Sequence, residues 1–342
     1  MFKSFKVQFY TNLDMRRFLT FDDVGLIPKF NHIASRLDTN LTITLHKDKF
    51  KSPFIPANMD SVIGTDLAKV CRIRGAPIIF HRFAPIQQQI EWIKEFPDAY
   101  LSIGVKTNNI DTLYYAGCRR FCIDIAHGHS QSVLDAIKKI KDLKDTQVIA
   151  GNVCTYEGVI DLANAGADII KVGVGPGAVC ITRMMTGMGI PQFSAIRECY
   201  RAKYDLWDQD KDVYLIADGG IKNPRDAVLA LAAGADAVMM GSIFARTFES
   251  AAPKQKGVKT YGRYRGQASS EFMDEFNIKR QAEGVAFDVE ITKSANDVFD
   301  EYEGGLRSAL TYCGTDMIED FKRNAEFFES TNHFMTESNY RK

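Results

Sequence analysis

Cys180 closes a glycine-rich run, Gly173-Val-Gly175-Pro-Gly177-Ala-Val-Cys180, and Ile181-Thr182-Arg183 behind it can open a helix. A thiol in that setting suits nucleophilic chemistry: its ordinary pKa is about 8.5, and a helix N-terminus or a guanidinium such as Arg183 favours the attacking thiolate. The alternative from residue type alone is a small buried apolar cysteine behind turn-forming glycines. Asp218-Gly219-Gly220 and Gly241-Ser242 likewise read as turns, and Glu283 as a solvated glutamate in a charged loop. His127 and His129 flank Gly128 with no carboxylate or cysteine at ligand spacing, so they read as a polar loop and not as a metal site. Cys118 and Cys122 lie four apart, but no second pair completes a zinc site.

These groups need a scaffold, and the chain repeats one unit from about residue 53 to 245: a short apolar run, then an amphipathic segment. The runs at 53–58, 76–80, 99–105, 120–126, 146–152, 167–173, 213–219 and 235–241 lack alternation, as strands buried on both faces do. Segments between them, such as SVLDAIKKIKDL, have helical periodicity. Gly-Ala-Asp recurs at 166–168 and 234–236, where the glycine can cap a helix. Eight such units predict an α/β protein, a closed (β/α)8 TIM barrel, with reactive groups in the loops after the strand C-termini. Two of those loops are long, one after strand six and a polar stretch from about 247 to 300 after strand eight; both are assigned to the active site.

Of the 342 residues, 45% are hydrophobic and 25% charged, and 43 basic side chains cancel 43 acidic ones. No basic excess draws the chain to nucleic acid, and no apolar stretch has the roughly 18 residues a bilayer crossing needs. The expected partners are small molecules or further copies of the chain. Seven cysteines without a C-x-x-C pair read as free thiols, and a cytoplasmic location is expected. The first residues, MFKSFKVQFYTNLDMRRF, read as an arm, with a weak mitochondrial presequence as the alternative.

The motifs GVGPGAVCITR, PANMDSV, IDIAHGHS, AGNV, ADGGI, VMMGS and YRGQASSE, running in order between LTFDDV and LRSALTYCG, resemble the IMP dehydrogenase and GMP reductase family. The resemblance implies that Cys180 attacks C2 of a bound purine nucleotide to form a covalent thioimidate, with Thr182 handling protons at the reacting centre. It also implies that Asp218, followed by Gly219 and Gly220 of the same substrate-binding motif, accepts the ribose hydroxyls, while Gly241 and Ser242 cradle the 5′-phosphate. Asn58, Met59, Gly266, Gln267, Ala268, Arg280 and Gly284 complete the expected substrate site. Carbonyls of Gly175, Gly177 and Cys180 match positions that hold a monovalent cation, K+ being the candidate. Gln267 replaces a common methionine and Ala268 a common serine, which puts base or sugar preference in question.

Two reactions of the family share the thioimidate. A dehydrogenase activates water with an Arg-Tyr pair on a long flap; here only FMDEFNIKRQ separates YRGQASSE from AEG, and Arg263-Tyr264 is out of register. Arg280-Gln-Ala-Glu283-Gly284 instead resembles the reductase motif whose glutamate works with the threonine to protonate departing ammonia. The wording is similar to the bacterial reductases. The expectation is therefore NADPH-dependent reductive deamination of GMP to IMP, in purine nucleotide interconversion. The alternatives are an IMP dehydrogenase using NAD and a noncatalytic nucleotide sensor. For NADPH the resemblance points to Arg82, Asp124, Ile125 and Ala126, and also to Lys279, Ser308, Thr311 and Tyr312. The chain is expected to be one domain over 1–342: an arm at 1–17, a family-like core at 18–315 and a tail at 316–342. Only one helix fits between His81 and Tyr100, so a CBS regulatory module is not expected, and a homotetramer is.

Overall fold

In the computed structural model, which describes residues 15–106, 109–279, 281–331 and 334–338, the eight apolar runs form one parallel sheet. Its strands are β1 (Phe54–Pro56), β2 (Ile79–Phe80), β3 (Tyr100–Ile103), β4 (Arg120–Asp124), β5 (Gln147–Val153), β6 (Ile169–Val172), β7 (Tyr214–Asp218) and β8 (Ala237–Met240). From β2 to β8 each pairs with its successor. Val238–Met240 then lies opposite Phe54–Pro56, which brings the last strand back to the first and makes a (β/α)8 barrel. The helices after them are α1 (Thr65–Arg74), α2 (Ile86–Glu95), α3 (Ile110–Tyr115), α4 (Gln131–Lys141), α5 (Tyr156–Ala165), α6 (Gln192–Trp207), α7 (Pro224–Ala232) and α8 (Ala295–Tyr312). In α4, Val133, Ala136, Ile137 and Ile140 form the buried stripe while Lys138, Lys139 and Lys141 favour its C-terminal dipole.

The two Gly-Ala-Asp repeats do the same work twice. Gly166 caps α5 at φ = +109°, and Gly234 follows the C-cap of α7 at φ = +122°. Each aspartate then accepts from the first amides of the preceding strand, Asp168 from Val148 N at 2.7 Å and Asp236 from Leu215 N at 2.6 Å. Lysines neutralise both: Lys141 reaches Asp168 at 3.0 Å, and Lys203 and Lys322 reach Asp236 at 2.7 and 2.6 Å. The strand N-termini are further plugged by a hairpin, Ile43–Leu45 with Asp48–Phe50, whose Asp48 pairs with Arg120 at 2.8 Å. The rigid, closed end of the barrel is thus the end opposite the reactive loops.

Two expectations change. The stretch 247–300 is not one long loop: β9 (Lys254–Lys256), β10 (Thr260–Arg265) and β11 (Ala286–Glu290) form an antiparallel sheet, with a short helix Ser270–Glu275 between the last two. The alternation in Thr-Tyr-Gly-Arg-Tyr-Arg buries Gly262 and Tyr264 on one face, a period-two pattern too short to stand out among polar residues. The segment after residue 315 is also folded. Its helix Ile318–Asn324 buries Ile318, Phe321 and Lys322, and its strand Phe327–Glu329 pairs with Val24–Leu26. Residues 1–14 of the expected arm lie outside the described residues. Among the described residues no helix is long and apolar enough to cross a membrane.

Candidate active site

The loop after β6 is held against the loop after β7. Gly173 stands at φ = +147°, and a Cβ there would drive into Asp218 O, so both conformation and space demand glycine. A Cβ on Gly219 would come within 3.1 Å of Gly177 N and Pro176, so these loops touch backbone to backbone. Cys180 N donates to Gly177 O at 3.0 Å, and the short helix Thr182–Thr186 opens beyond the cysteine as expected. Arg183 has a second part beside its electrostatic interaction with Cys180: its guanidinium donates to Val174 O at 3.3 Å and Ile190 O at 2.6 Å, strutting the two ends of the loop.

A distant segment completes this loop. Ile181 N donates to Glu283 O and Val285 N to Val179 O, both at 2.9 Å, so residues 283–285 lie along the cysteine as an extra strand. Gly284 sits opposite both Cys180 and Ser269, and a Cβ on it would meet Ser269 N at 3.0 Å. Glu283 N donates to Ala268 O at 3.0 Å. The outcome is a line of three side chains: Cys180 Sγ donates to Thr182 Oγ1 at 3.3 Å, and Thr182 Oγ1 donates to Glu283 Oε2 at 2.8 Å. The thiol proton has a hydrogen-bonded path to a carboxylate.

Below this line lies a polar group that sequence reasoning missed. Lys171, in mid-β6 and 1% exposed, donates to Asp124 Oδ1 at 2.7 Å, Asp218 Oδ2 at 3.1 Å and Asn58 Oδ1 at 3.3 Å. Asn152 Nδ2 donates to Asp218 Oδ2 at 2.9 Å and to Gly173 O at 2.8 Å. Burial works against the charged form of Asp124, but the ammonium of Lys171 outweighs it and holds the carboxyl below the ordinary range, with help from Arg82. Burial likewise opposes the charged lysine, and the two carboxylates override it, raising its pKa. The only sign in the sequence was a lysine inside an apolar strand, Ile169-Ile170-Lys171-Val172.

The expected nucleotide residues gather around these groups. Gly219 and Gly220 hold φ = +89° and +83° beyond Asp218, and Gly241 N-caps the four-residue helix that Ser242 opens. A Cβ on Gly241 would meet the buried Tyr264 hydroxyl at 2.5 Å and Met59 Sδ at 3.6 Å. Gln267 Nε2 donates to Asn58 O at 3.0 Å, and Arg265 clamps Asp60 at 2.5 Å, so the segment after β10 is tied to the loop after β1. Gly266 N donates to Val285 O at 3.0 Å. Arg263 faces outward to Glu271 and Asp288. Arg280 lies outside the described residues.

Asn58 Nδ2 donates to Ser102 Oγ at 2.8 Å, and Ser102 lines a cavity of about 280 Å³ with Arg82, Gln89, Gly104, Lys106 and Asn109. Two cations and small polar residues suit a phosphate-bearing cofactor. Ile125 accepts from Asn152 N at 2.7 Å and its own amide donates to Gly151 O at 3.0 Å, placing Asp124, Ile125 and Ala126 at the same mouth. His129 pairs with Asp161 at 2.8 Å, a carboxylate supplied by α5 that spacing alone could not reveal. Lys279 is exposed in the segment before Glu283. Ser308, Thr311 and Tyr312 are not brought to this mouth. They end α8 beside residues 29–40, with Lys29 N donating to Tyr312 O at 2.8 Å, at the plugged end of the barrel.

Residues 18–341 match the IMP dehydrogenase / GMP reductase domain. A Bacillus cereus protein named GMP reductase is 36% identical over 321 residues, covering 90% of this chain and 94% of that protein. A Lactobacillus gasseri GMP reductase is 38% identical over 307 residues, covering 86% of this chain and 89% of its own. One from Clostridium acetobutylicum is 36% identical over 313 residues, covering 88% and 92%.

Proposed function

The chain belongs to the IMP dehydrogenase / GMP reductase family, and on that premise we propose that it converts GMP to IMP and ammonia at the expense of NADPH. The observation that carries this reading is the hydrogen-bonded line from Cys180 through Thr182 to Glu283, with its 3.3 and 2.8 Å contacts. Deamination at C2 needs a nucleophile and, close by, an acid for a poor leaving group. The line supplies both with one proton. As Cys180 Sγ bonds to C2, its proton passes through the Thr182 hydroxyl to Glu283; the carboxylic acid then returns it to the departing amino group, which leaves as ammonia. The product of this step is a thioimidate between Cys180 and the purine, and the protons balance without an external acid.

Asp218 orients the ribose by accepting its hydroxyl protons, Gly241 and Ser242 receive the phosphate, and Gly219 and Gly220, in the left-handed turn behind Asp218, line the same substrate site. Gln267, Ala268, Gly266, Gly284, Asn58 and Met59 border the base and sugar. NADPH, when bound, supplies the hydride that reduces C2 as the carbon–sulfur bond breaks. Arg82, Asp124, Ile125 and Ala126 are the residues of the chain that would hold it, and the cationic cavity at Arg82 and Lys106 would suit its phosphates. Ser308, Thr311 and Tyr312, at the barrel's other end, serve the cofactor only across a subunit boundary, in keeping with a homotetramer, and Lys279 is exposed to reach it from the segment before Glu283. Carbonyl oxygens of Gly175, Gly177 and Cys180 are the hard donors that suit K+, although the Cys180 amide already uses one lone pair of Gly177 O.

The test is NADPH absorbance on mixing the protein with GMP, with ammonia assayed in parallel and a second cell holding IMP and NAD. NADPH loss matched by ammonia establishes the reductase. A response only with IMP and NAD makes it a dehydrogenase, and binding of GMP without turnover in either cell makes it a sensor.

A further inference from the structure

An ammonium has three N–H donors and no acceptor, and Lys171 places all three, on Asp124, Asp218 and Asn58. Those acceptors come from the ends of β4 and β7 and the loop after β1, so one buried side chain ties together three otherwise separate edges of the barrel mouth. One positive charge stands between two carboxylates. The cation is enclosed, so how closely it holds one carboxylate depends on how strongly the other draws it.

We propose that Lys171 is a positioning residue that couples the nucleotide side of the site, through Asp218, to the cofactor side, through Asp124. The proposal rests on the reading given above of which ligand each aspartate meets. A ribose that donates hydroxyl protons to Asp218 satisfies that carboxylate and weakens its pull on the ammonium, leaving Asp124, already at 2.7 Å, the stronger partner. The reverse follows by linkage: altering Asp124 changes how much of the lysine Asp218 holds, and so how well Asp218 accepts the ribose. Asn152 keeps Asp218 in place during this exchange, since it binds both Asp218 Oδ2 and Gly173 O.

The experiment is GMP binding by calorimetry, without cofactor, to the wild-type chain, Asp124→Asn, Lys171→Met and the double variant, each first shown to be folded by thermal melting. Asp124 does not touch the nucleotide in this scheme, yet Asp124→Asn is expected to weaken GMP binding about fivefold or more, at the lower end of ordinary coupling between sites. In the Lys171→Met background the same change is expected to have no effect, and that non-additivity is a result a merely structural lysine would not produce. Lys171→Arg, which keeps the charge, is expected to restore part of the coupling. Unchanged GMP affinity in Asp124→Asn, or effects that simply add in the double variant, overturn the proposal. If Lys171→Met does not fold, Asp124→Asn in the wild-type and Lys171→Arg chains decides by the same criterion. Absence of GMP binding by the wild-type chain overturns the substrate reading and the coupling with it, and is told apart because it precedes any substitution.

Discussion

Thr182 donates its hydroxyl proton to Glu283 at 2.8 Å although 101 residues separate them in sequence. The contact exists because residues 283–285 pair along the cysteine loop, so the acid and the nucleophile are set by backbone hydrogen bonds and not by the reach of long side chains.

Glu283→Gln keeps a side chain that accepts the Thr182 hydrogen bond and removes the group that can carry the proton. Turnover of GMP with NADPH is expected to fall by about a hundredfold to ten-thousandfold while GMP binding persists. Steady-state NADPH oxidation and calorimetry on the same preparation read the two effects, and near-normal turnover would take Glu283 out of the proton path.

Gly241→Ala sets a methyl group 2.5 Å from the hydroxyl of Tyr264, which is buried at 2% exposure and has little room to retreat. Overpacking of this kind costs about 1–3 kcal/mol and displaces the loop proposed to meet the phosphate. Gly241→Ala combined with Tyr264→Phe removes the clashing oxygen and is expected to recover stability and GMP affinity together. Recovery of neither in thermal melts and calorimetry would show that the glycine is needed for another reason.

His81 is buried beside Trp92, and desolvation lowers its pKa from 6.5 to about 4. Between those values the unfolded chain binds a proton that the folded chain refuses, so stability rises with pH across this window and is lost as pH falls from 6.5 toward 4. The contribution is about 3 kcal/mol at its full extent. Urea midpoints of wild type and His81→Gln across this window check it: the difference between them is expected to shrink as the pH falls, and a constant difference would assign the acid sensitivity to other groups.

Asp236 is enclosed by Lys203 and Lys322, and Lys322 belongs to the helix beyond residue 315. Breaking a buried pair from one side leaves an uncompensated charge at a cost of about 3–5 kcal/mol. Asp236→Ala, which takes the carboxylate from Lys203, leaves Lys322 only the exposed Glu319 and strands the Leu215 amide, is therefore expected to be more destabilising than Lys322→Met, which leaves Asp236 still paired with Lys203. Chemical denaturation of both variants measures the order, and the reverse order would mean the terminal helix carries more of the barrel's stability than its ion pair does.

The barrel is legible in the chain: its eight strands are apolar without alternation, because both of their faces are buried, and the helices between them are marked by periodicity and Gly-Ala-Asp caps. The reactive loop is legible too, since glycines at 173, 175 and 177 ahead of Cys180 stand out wherever they occur. Tertiary structure alone decided what Lys171 does, because its partners Asp124, Asp218 and Asn58 are 47, 47 and 113 residues away and meet it only when the barrel curls. It decided the sheet over 254–290 and the fold of the segment after 315 for a related reason. Short polar strands carry little hydrophobic signal, and their pairing depends on surfaces the barrel must first present. It separated Ser308, Thr311 and Tyr312 from Arg82, because a helix running back along the barrel ends where the strands begin.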